Sequence, residues 1–321
     1  MQNISVYLNH RASNGGHDWQ GQINQALFRS QISYPETQTL EELHSHLDRD
    51  VKNNVDAILS VGGDGTVHSI IQKLAGTDIG LLVVPGGTAN DFARVMGSSN
   101  NIKKITQTIR NNVRKKIDLI NINGTFMVTN GGLGIAAEVA SEINDIRKEY
   151  PQFKNLMKFS GKNIYSLFIT KKLLNNEITA HKFKIESEEF NEVLCSPLLL
   201  INNQPTLAGS FEVAPGTNHQ DGKFNVLIFK HENRLELISC ILNIMKGQFP
   251  KNDKNLISLE TEHVKISLLD NNNGLNFFGD GEVFSKSTHW DIKCYPQFLN
   301  VFSPKDQSHS NDFSGQMVSL T

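Results

Sequence analysis

The apolar positions of this chain follow two regimes. In the first third they gather into short blocks, Ile4 to Asn9, Ala57 to Val61 and Leu81 to Val84, the pattern of strands buried on both faces. Between the blocks they recur at helical spacing, as Leu43, Leu47 and Val51, then as Val67, Ile70, Ile71, Leu74 and Ala75. Thr39-Leu40-Glu41-Glu42 reads as a capping box, in which the Thr39 hydroxyl and the Glu42 carboxylate satisfy free amides of a first turn. Strand–helix alternation predicts a parallel sheet covered on both faces, an α/β unit over residues 1–120. Residues 101–116 are expected to form its last helix. Ile102, Ile105, Ile109 and Val113 would face inward, and Lys103, Lys104, Arg110, Arg114, Lys115 and Lys116 outward.

The pattern then changes. Ile117 to Ile122 and Thr125 to Thr129 read as strands joined by Asn123-Gly124, the dipeptide that best accepts two positive-φ turn positions. Further strands are expected at 183–186, 198–202, 223–229, 264–268, 275–278 and 289–294. A single helix, Leu235 to Lys246, interrupts them and stops before Gly247. Phe224, Val226 and Ile228 alternate with Asn225, Leu227 and Phe229, so both faces of that strand should be buried. Residues 121–299 therefore read as a mostly β domain, with about 300–321 expected to return and complete the first. The tail from Ser303 is polar, and no internal repeat is visible.

Composition narrows the picture. A chain of 321 residues has room for two domains, and a formal net charge of -2 gives no global basic field for nucleic acid. Cys195, Cys240 and Cys294 form no CxxC pair, which argues against a zinc site or a disulfide framework and suits a reducing cytoplasm. The first residues lack the pattern of a signal peptide, and the apolar run Leu235 to Met245 is too short to span a bilayer. The expected location is cytoplasmic.

Candidate chemistry sits where strands give way to helices. In Gly62-Gly63-Asp64-Gly65-Thr66 the glycines let backbone amides approach a phosphate chain at a helix N-terminus. Asp64 suits such a place only if it meets Mg2+, a ribose hydroxyl or a proton. Thr66 could donate to phosphate or cap the helix, and the alternative for the whole segment is a tight turn. Pro85 to Arg94, PGGTANDFAR, repeats the design one strand later. There Arg94 could meet phosphate or simply pair with Asp91. A third cluster, Gly132 to Ala137, matches GxGxxA, but the preceding strand closes a hairpin, so a turn into a helix is the preferred reading.

Together with Asn130 to Gly134, Asp221-Gly222-Lys223 and the late Gly279-Asp280-Gly281-Glu282, these segments resemble the diacylglycerol kinase catalytic-domain family, bacterial lipid-kinase branch, over about residues 4–304. GGDGT is shared with NAD kinases and phosphofructokinases; the late GDGE is more specific. The resemblance implies a Rossmann-like α/β nucleotide-binding domain plus a mostly antiparallel β-sandwich domain, with the active site in the cleft. It implies an ATP-dependent lipid kinase acting on a diacylglycerol-like hydroxyl at a membrane surface. An NAD kinase-like phosphotransferase and an inactive nucleotide-binding regulator are the alternatives.

By the same resemblance, ATP is held by Asn9, Ser13, Thr37, Gly62, Gly63, Asp64, Gly65, Thr66, Val67, His68, Gly87, Thr88, Asn90 and Asp91. Thr39 is a rival to Thr37. The family's NPxSG segment reads here Asn9-His10-Arg11-Ala12-Ser13-Asn14-Gly15, with the proline replaced and the glycine displaced. Glu282 is implied as the base, with Asp64 second as base or as a Mg2+-facing group; Asp280 would orient Glu282 or close a turn. Asn218, Asp221 and Lys223 match a structural Mg2+ site, and a further Mg2+ is expected with ATP. Residues 153–174, rich in Phe153, Leu156, Met157, Phe159, Ile164, Tyr165, Leu167 and Phe168, are the candidate acyl-chain lining, though such a stripe is more often core.

Overall fold

Four parallel strands begin the larger of two main sheets: β1 (Asn3–Leu8) lies between β2 (Gln31–Ser33) and β3 (Ala57–Gly62), and β4 (Gly80–Pro85) follows β3. The computed structural model describes residues 2–9, 18–87, 90–150, 168, 171–172, 178–207 and 211–304. The apolar blocks of the sequence serve two cores at once. Ile58, Leu81 and Val83 pack with Leu43 and Leu47 of α2 (Leu40–Lys52) and with Val67, Ile70, Ile71 and Leu74 of α3 (Asp64–Leu74). Their neighbours Leu59, Leu82 and Val84 pack on the opposite face with Trp19 and Ile23 of α1 (Trp19–Ala26) and with Ile105 and Ile109 of α5 (Ile102–Asn111). The short α4 (Asp91–Val95) follows β4. The Thr39–Glu42 capping box forms as the sequence predicts.

The helix expected over 101–116 ends early. Asn112 turns left-handed at φ 49°, its amide donating to Thr108 O and Ile109 O, and β5 (Arg114–Ile122) begins two residues later. The side-chain amide of Asn tolerates that conformation better than most residues, so it can end a helix in place of glycine. The expected basic face is divided as a result. Arg110 donates to Ala26 O, and Arg114 lies over the Phe302 ring at 4.7 Å and donates to Asp78 O.

The strand expected at 289–294 is the first half of β18 (His289–Phe302), which ties the molecule together. It pairs in parallel with β4 through Val301 and Leu81, antiparallel with β5, and antiparallel with β15 (His263–Leu268). The sheet then continues through β8 (His181–Glu186) to β9 (Asn191–Ser196). Ten strands of the described residues belong to it, including the short β6 (Thr125–Met127), joined to β5 by the Asn123-Gly124 turn at φ 50° and 94°. The boundary expected at residue 120 falls inside β5. Pro296 and Gln297 disguise the second half of β18: the register shifts between Tyr295 and Leu299, with Gln297 at φ 52°.

A second sheet runs in the order β14 (Leu256–Thr261), β13 (Phe224–Phe229), β10 (Leu198–Asn202), β7 (Asn130–Gly134), β16 (Phe278–Gly279) and β17 (Glu282–Val283). Phe224, Val226 and Ile228 meet Phe183, Ile266, Trp290 and Ile292 of the first sheet, which makes the sandwich core. The alternate residues Leu227 and Phe229 pack beneath α6 (Ile135–Glu149) and α7 (Arg234–Met245). Of the strand expected at 275–278, Phe278 alone lies in β16; Leu275 makes an isolated bridge to Ser287. The third glycine cluster serves strand packing. A Cβ on Gly131 or Gly132 would strike Phe278 O or Leu199 O, and Gly134 then turns at φ 77° into α6.

Asp118, fully buried in β5, joins three segments. Its carboxylate accepts from Gly222 N and Gln297 N, both at 2.7 Å, and its amide donates to His219 O. Asp118→Ala should cost roughly 2–5 kcal/mol, because two backbone donors lose their acceptor. Urea unfolding that shows a lower midpoint at unchanged slope is the expected result.

Candidate active site

The two glycine loops meet backbone to backbone where β3 and β4 end. Gly86 N donates to Gly62 O at 2.8 Å, and a Cβ on Gly87 would come 2.6 Å from Gly63 Cα. Side chains are thus excluded from the seam between the loops. Gly63 is the N-cap of α3 and provides no side-chain cap, so first-turn amides remain available for an anion, with the helix dipole favouring it. Asn90 makes the second loop self-supporting. It sits at φ 51°, its Oδ1 accepting from Gly87 N and its Nδ2 donating to Gly87 O, each at 2.8 Å.

The polar residues around this seam are interlinked. Asn9 Nδ2 donates to Thr66 Oγ1 at 2.8 Å, which leaves the Thr66 hydroxyl proton to serve a ligand. Asp64, on the first turn of α3, reaches across to α4 and accepts from Phe92 N at 3.4 Å and from Asp91 N. Asp91 also pairs with Arg94 at 3.0 Å, the blander of the two roles open to that arginine. Part of Asp64 faces solvent, yet the surrounding protein and then the Asp91 carboxylate push its pKa up to about 7; Asp280 adds to this, and the two amide bonds oppose it.

The GDGE segment is an Asp-Gly turn whose side chains reach α3. Asp280 and Gly281 take φ 54° and 81° between β16 and β17. Asp280 is 3% exposed. Its Oδ1 accepts from Thr129 N and Thr129 Oγ1, both at 2.7 Å, and from Val128 N at 3.1 Å; its Oδ2 lies 3.0 Å from His68 Nδ1. His68, which the resemblance implies lies at the nucleotide, has Nδ1 on Asp280 and its ring 5.4 Å from that of Phe284. Burial lowers the His68 pKa, but the bond and charge of Asp280, with Glu282 behind it, raise it above its ordinary value. Asp280 therefore fixes Glu282 at one remove, by holding their common turn against α3. Glu282 is exposed and lies over Gly65, where a Cβ would collide with its Oε1.

Of the other residues named from sequence, Thr39 is the cap of α2, and Thr37 is half-buried in the loop before it. Ser13 and Thr88 lie outside the described residues, as does most of the acyl-lining stretch; Phe168 packs against the core beneath α6 and α7. Asn218, Asp221 and Lys223 are exposed on the loop before β13, where Lys223 N donates to Asp221 Oδ1 at 3.0 Å. Sequence reading missed Val128, Thr129 and Asp118. Asp118 alone carried a local signal, a single acid inside an apolar strand block.

Comparison with known proteins identifies the family and the fold. Residues 4–122 match the family described as Diacylglycerol kinase catalytic domain, and residues 133–303 match the YegS C-terminal NAD kinase beta sandwich-like domain. The chain belongs to the diacylglycerol kinase catalytic-domain family, in its YegS-like bacterial branch. It is 27% identical to the Diacylglycerol kinase of Bacillus subtilis over 261 residues, 80% of each chain. A crystal structure of a diacylglycerol kinase from Bacillus anthracis is similar in fold, with a TM-score of 0.67 and 16% identity over 94% of this chain and 97% of that one. In this chain the two matched regions meet at the seam where the GDGE turn rests on α3. Among the described residues no helix is long and apolar enough to cross a membrane.

Asp64 makes stability depend on pH in a direction that can be measured. Between about pH 4 and about pH 7 the folded protein keeps a proton on Asp64 that the unfolded chain has released, so raising the pH through this window costs stability. The Tm advantage of Asp64→Asn over the parent should therefore grow from about pH 5 to about pH 8 without divalent cations. Added Mg2+ should raise the parent Tm most at the alkaline end.

Proposed function

We propose that this chain is an ATP-dependent lipid kinase that transfers the γ-phosphate to a hydroxyl of a diacylglycerol-like lipid. The observation that carries this reading is the position of Glu282 directly over Gly65, which sets a carboxylate able to act as a base beside the glycine-lined start of α3. Phosphoryl transfer requires phosphate positioning, charge neutralisation and a proton acceptor for the attacking hydroxyl. The uncapped start of α3 and the Gly86–Gly87 loop supply the first. Thr66 donates its hydroxyl to a phosphate oxygen, with Asn9 holding its orientation. Glu282 takes the proton of the lipid hydroxyl as the new O–P bond forms and the bond between the γ-phosphorus and its bridging oxygen breaks, with ADP as the leaving group.

Mg2+ fits the residues present. Asp64 and Asp91 place carboxylates beside the phosphate seam, and Asp64 ionises reluctantly without a counter-charge. They would hold the ion, which neutralises phosphate charge when bound. Asp221, on a loop of exposed oxygen donors with Asn218 and Lys223, is the proposed carboxylate of a second, structural Mg2+. The substrate lies at a membrane surface, which the protein meets peripherally from the cytoplasm.

The test is transfer of labelled γ-phosphate from ATP to detergent-dispersed lipids, with NAD as a separate acceptor. Glu282→Gln should retain ATP binding and lose about 10²–10⁴-fold in kcat, the usual worth of a general base. Labelled NADP in place of phospholipid would overturn the lipid reading. Gly65→Ala offers an independent check. Gly65 lies in α3 without a positive φ, so alanine suits its backbone, and the methyl group meets the movable end of Glu282. This variant should keep its Tm within a few degrees, since alanine favours a helix by roughly 1 kcal/mol over glycine, yet lose activity to a similar degree as Glu282→Gln.

A further inference from the structure

Away from the kinase seam, three potential metal ligands converge at the base of α7. β13 and β14 are neighbours in the second sheet, and α7 is an excursion inserted between them, closed by Lys230 N donating to Asn255 O at 2.7 Å. His231 leaves β13 at the start of this excursion, Cys240 lies on the buried face of α7, and Asp253 precedes the return into β14. Ligand atoms of the three all lie within 4.8 Å of one another, with His231 Nε2 and Asp253 Oδ2 at 2.9 Å. The spacing of cysteines along the chain argued against a zinc site; the fold brings together three potential ligands of different types.

We propose that His231, Cys240 and Asp253 form a site for a borderline divalent transition cation, Zn2+ first, that staples the α7 excursion to the sheet. Its donors are an imidazole nitrogen, a sulfur and a carboxylate oxygen, the set Zn2+ accepts. Bonds of about 2.0–2.3 Å imply tetrahedral ligand atoms about 3.3–3.6 Å apart, so small side-chain movements suffice. Charge balances in this enclosed place: a thiolate and a carboxylate cancel the dication, and the imidazole stays neutral. In the metal-free state the thiol hydrogen-bonds to Asp253. Binding releases the Cys240 proton to solvent and shifts the ring proton of His231 from Nε2 to Nδ1. Nδ1 is buried and without a partner already, so no new group is stranded by the change. Asn255 N holds the other Asp253 oxygen at 2.9 Å, which orients the carboxylate. The Asp253 side chain is 24% exposed against 1% for His231, so the site opens to water on the carboxylate side, where a fourth ligand can enter.

The test uses the full chain, stripped with chelator, titrated with Zn2+, and with Co2+ as a spectroscopic probe. One equivalent should bind, Co2+ should show thiolate-to-metal charge transfer, and Zn2+ should raise Tm by mass action. Cys240→Ser should abolish the charge-transfer band, and Cys195→Ser should retain it. Asp253→Asn, a near-isosteric change at a partly exposed position, should weaken Zn2+ binding by at least about tenfold, since even outer-shell partners are worth that much. Circular dichroism confirms that each variant is folded; should Cys240→Ser fail to fold, Asp253→Asn decides. No binding by the parent overturns the proposal, as does undiminished binding in Asp253→Asn. A band that persists in folded Cys240→Ser overturns it too. Lipid phosphorylation does not enter the readout, so this site stands or falls apart from the kinase reading.

Discussion

The carboxylate of Asp280 is the constraint on which the active-site geometry depends. An almost fully buried carboxylate is costly unless its lone pairs are occupied. Here they are occupied by the amides of Val128 and Thr129, the Thr129 hydroxyl and His68. Those donors come from the segment between β6 and β7 and from α3. Satisfying one acid therefore fixes three parts of the chain relative to one another. Gly281, at φ 81°, completes the turn, and Glu282 follows within two residues of the anchored group. An exposed carboxylate thus gains a defined position from a buried neighbour.

The same logic operates on a larger scale through β18. A sandwich and an α/β unit joined only by a linker would be free to rock. In this protein one 14-residue strand is shared between them, parallel to β4 at one end and antiparallel to β15 at the other. Its register shift would weaken the joint, but Asp118 occupies the disturbed amide of Gln297 and binds the Gly222 loop as well. Buried carboxylates thus organise both the joint and the active site, each by accepting backbone bonds that irregular chain would otherwise leave unpaired.

The kinase seam balances opposite electrostatic demands. Two glycine turns and the start of α3 favour an anion, while Asp64, Asp91, Asp280 and Glu282 crowd the same region with negative charge. A phosphate chain without a cation would meet these acids unfavourably; the acids without a cation repel one another. The strain is visible in Asp64, whose ionisation is delayed to about pH 7. Such an arrangement is stable in use and costly at rest, as sites built for charged ligands tend to be.

Local signals were read well because they depend on period and turn conformation. The apolar blocks became strands packed on two faces. Thr39 and Glu42 formed their box, and Asn123-Gly124 and Asp280-Gly281 formed their turns. The glycine loops and GDGE named the family without any structure. The errors share one physical cause: each required a partner distant in sequence. Asn112 ends a helix because Arg114 to Lys116 pair with β18, and Pro296-Gln297 reads as a break until Asp118 is seen to bridge it. His68 and Asp280 stand 212 residues apart, and no spacing rule connects them. The sequence by itself determined the elements, the turns and the chemistry of the loops, since these rest on backbone preference and side-chain period. Only the tertiary structure decided that Glu282 meets Gly65, that His68 meets Asp280, and that His231, Cys240 and Asp253 converge, because packing alone sets distances between residues remote along the chain.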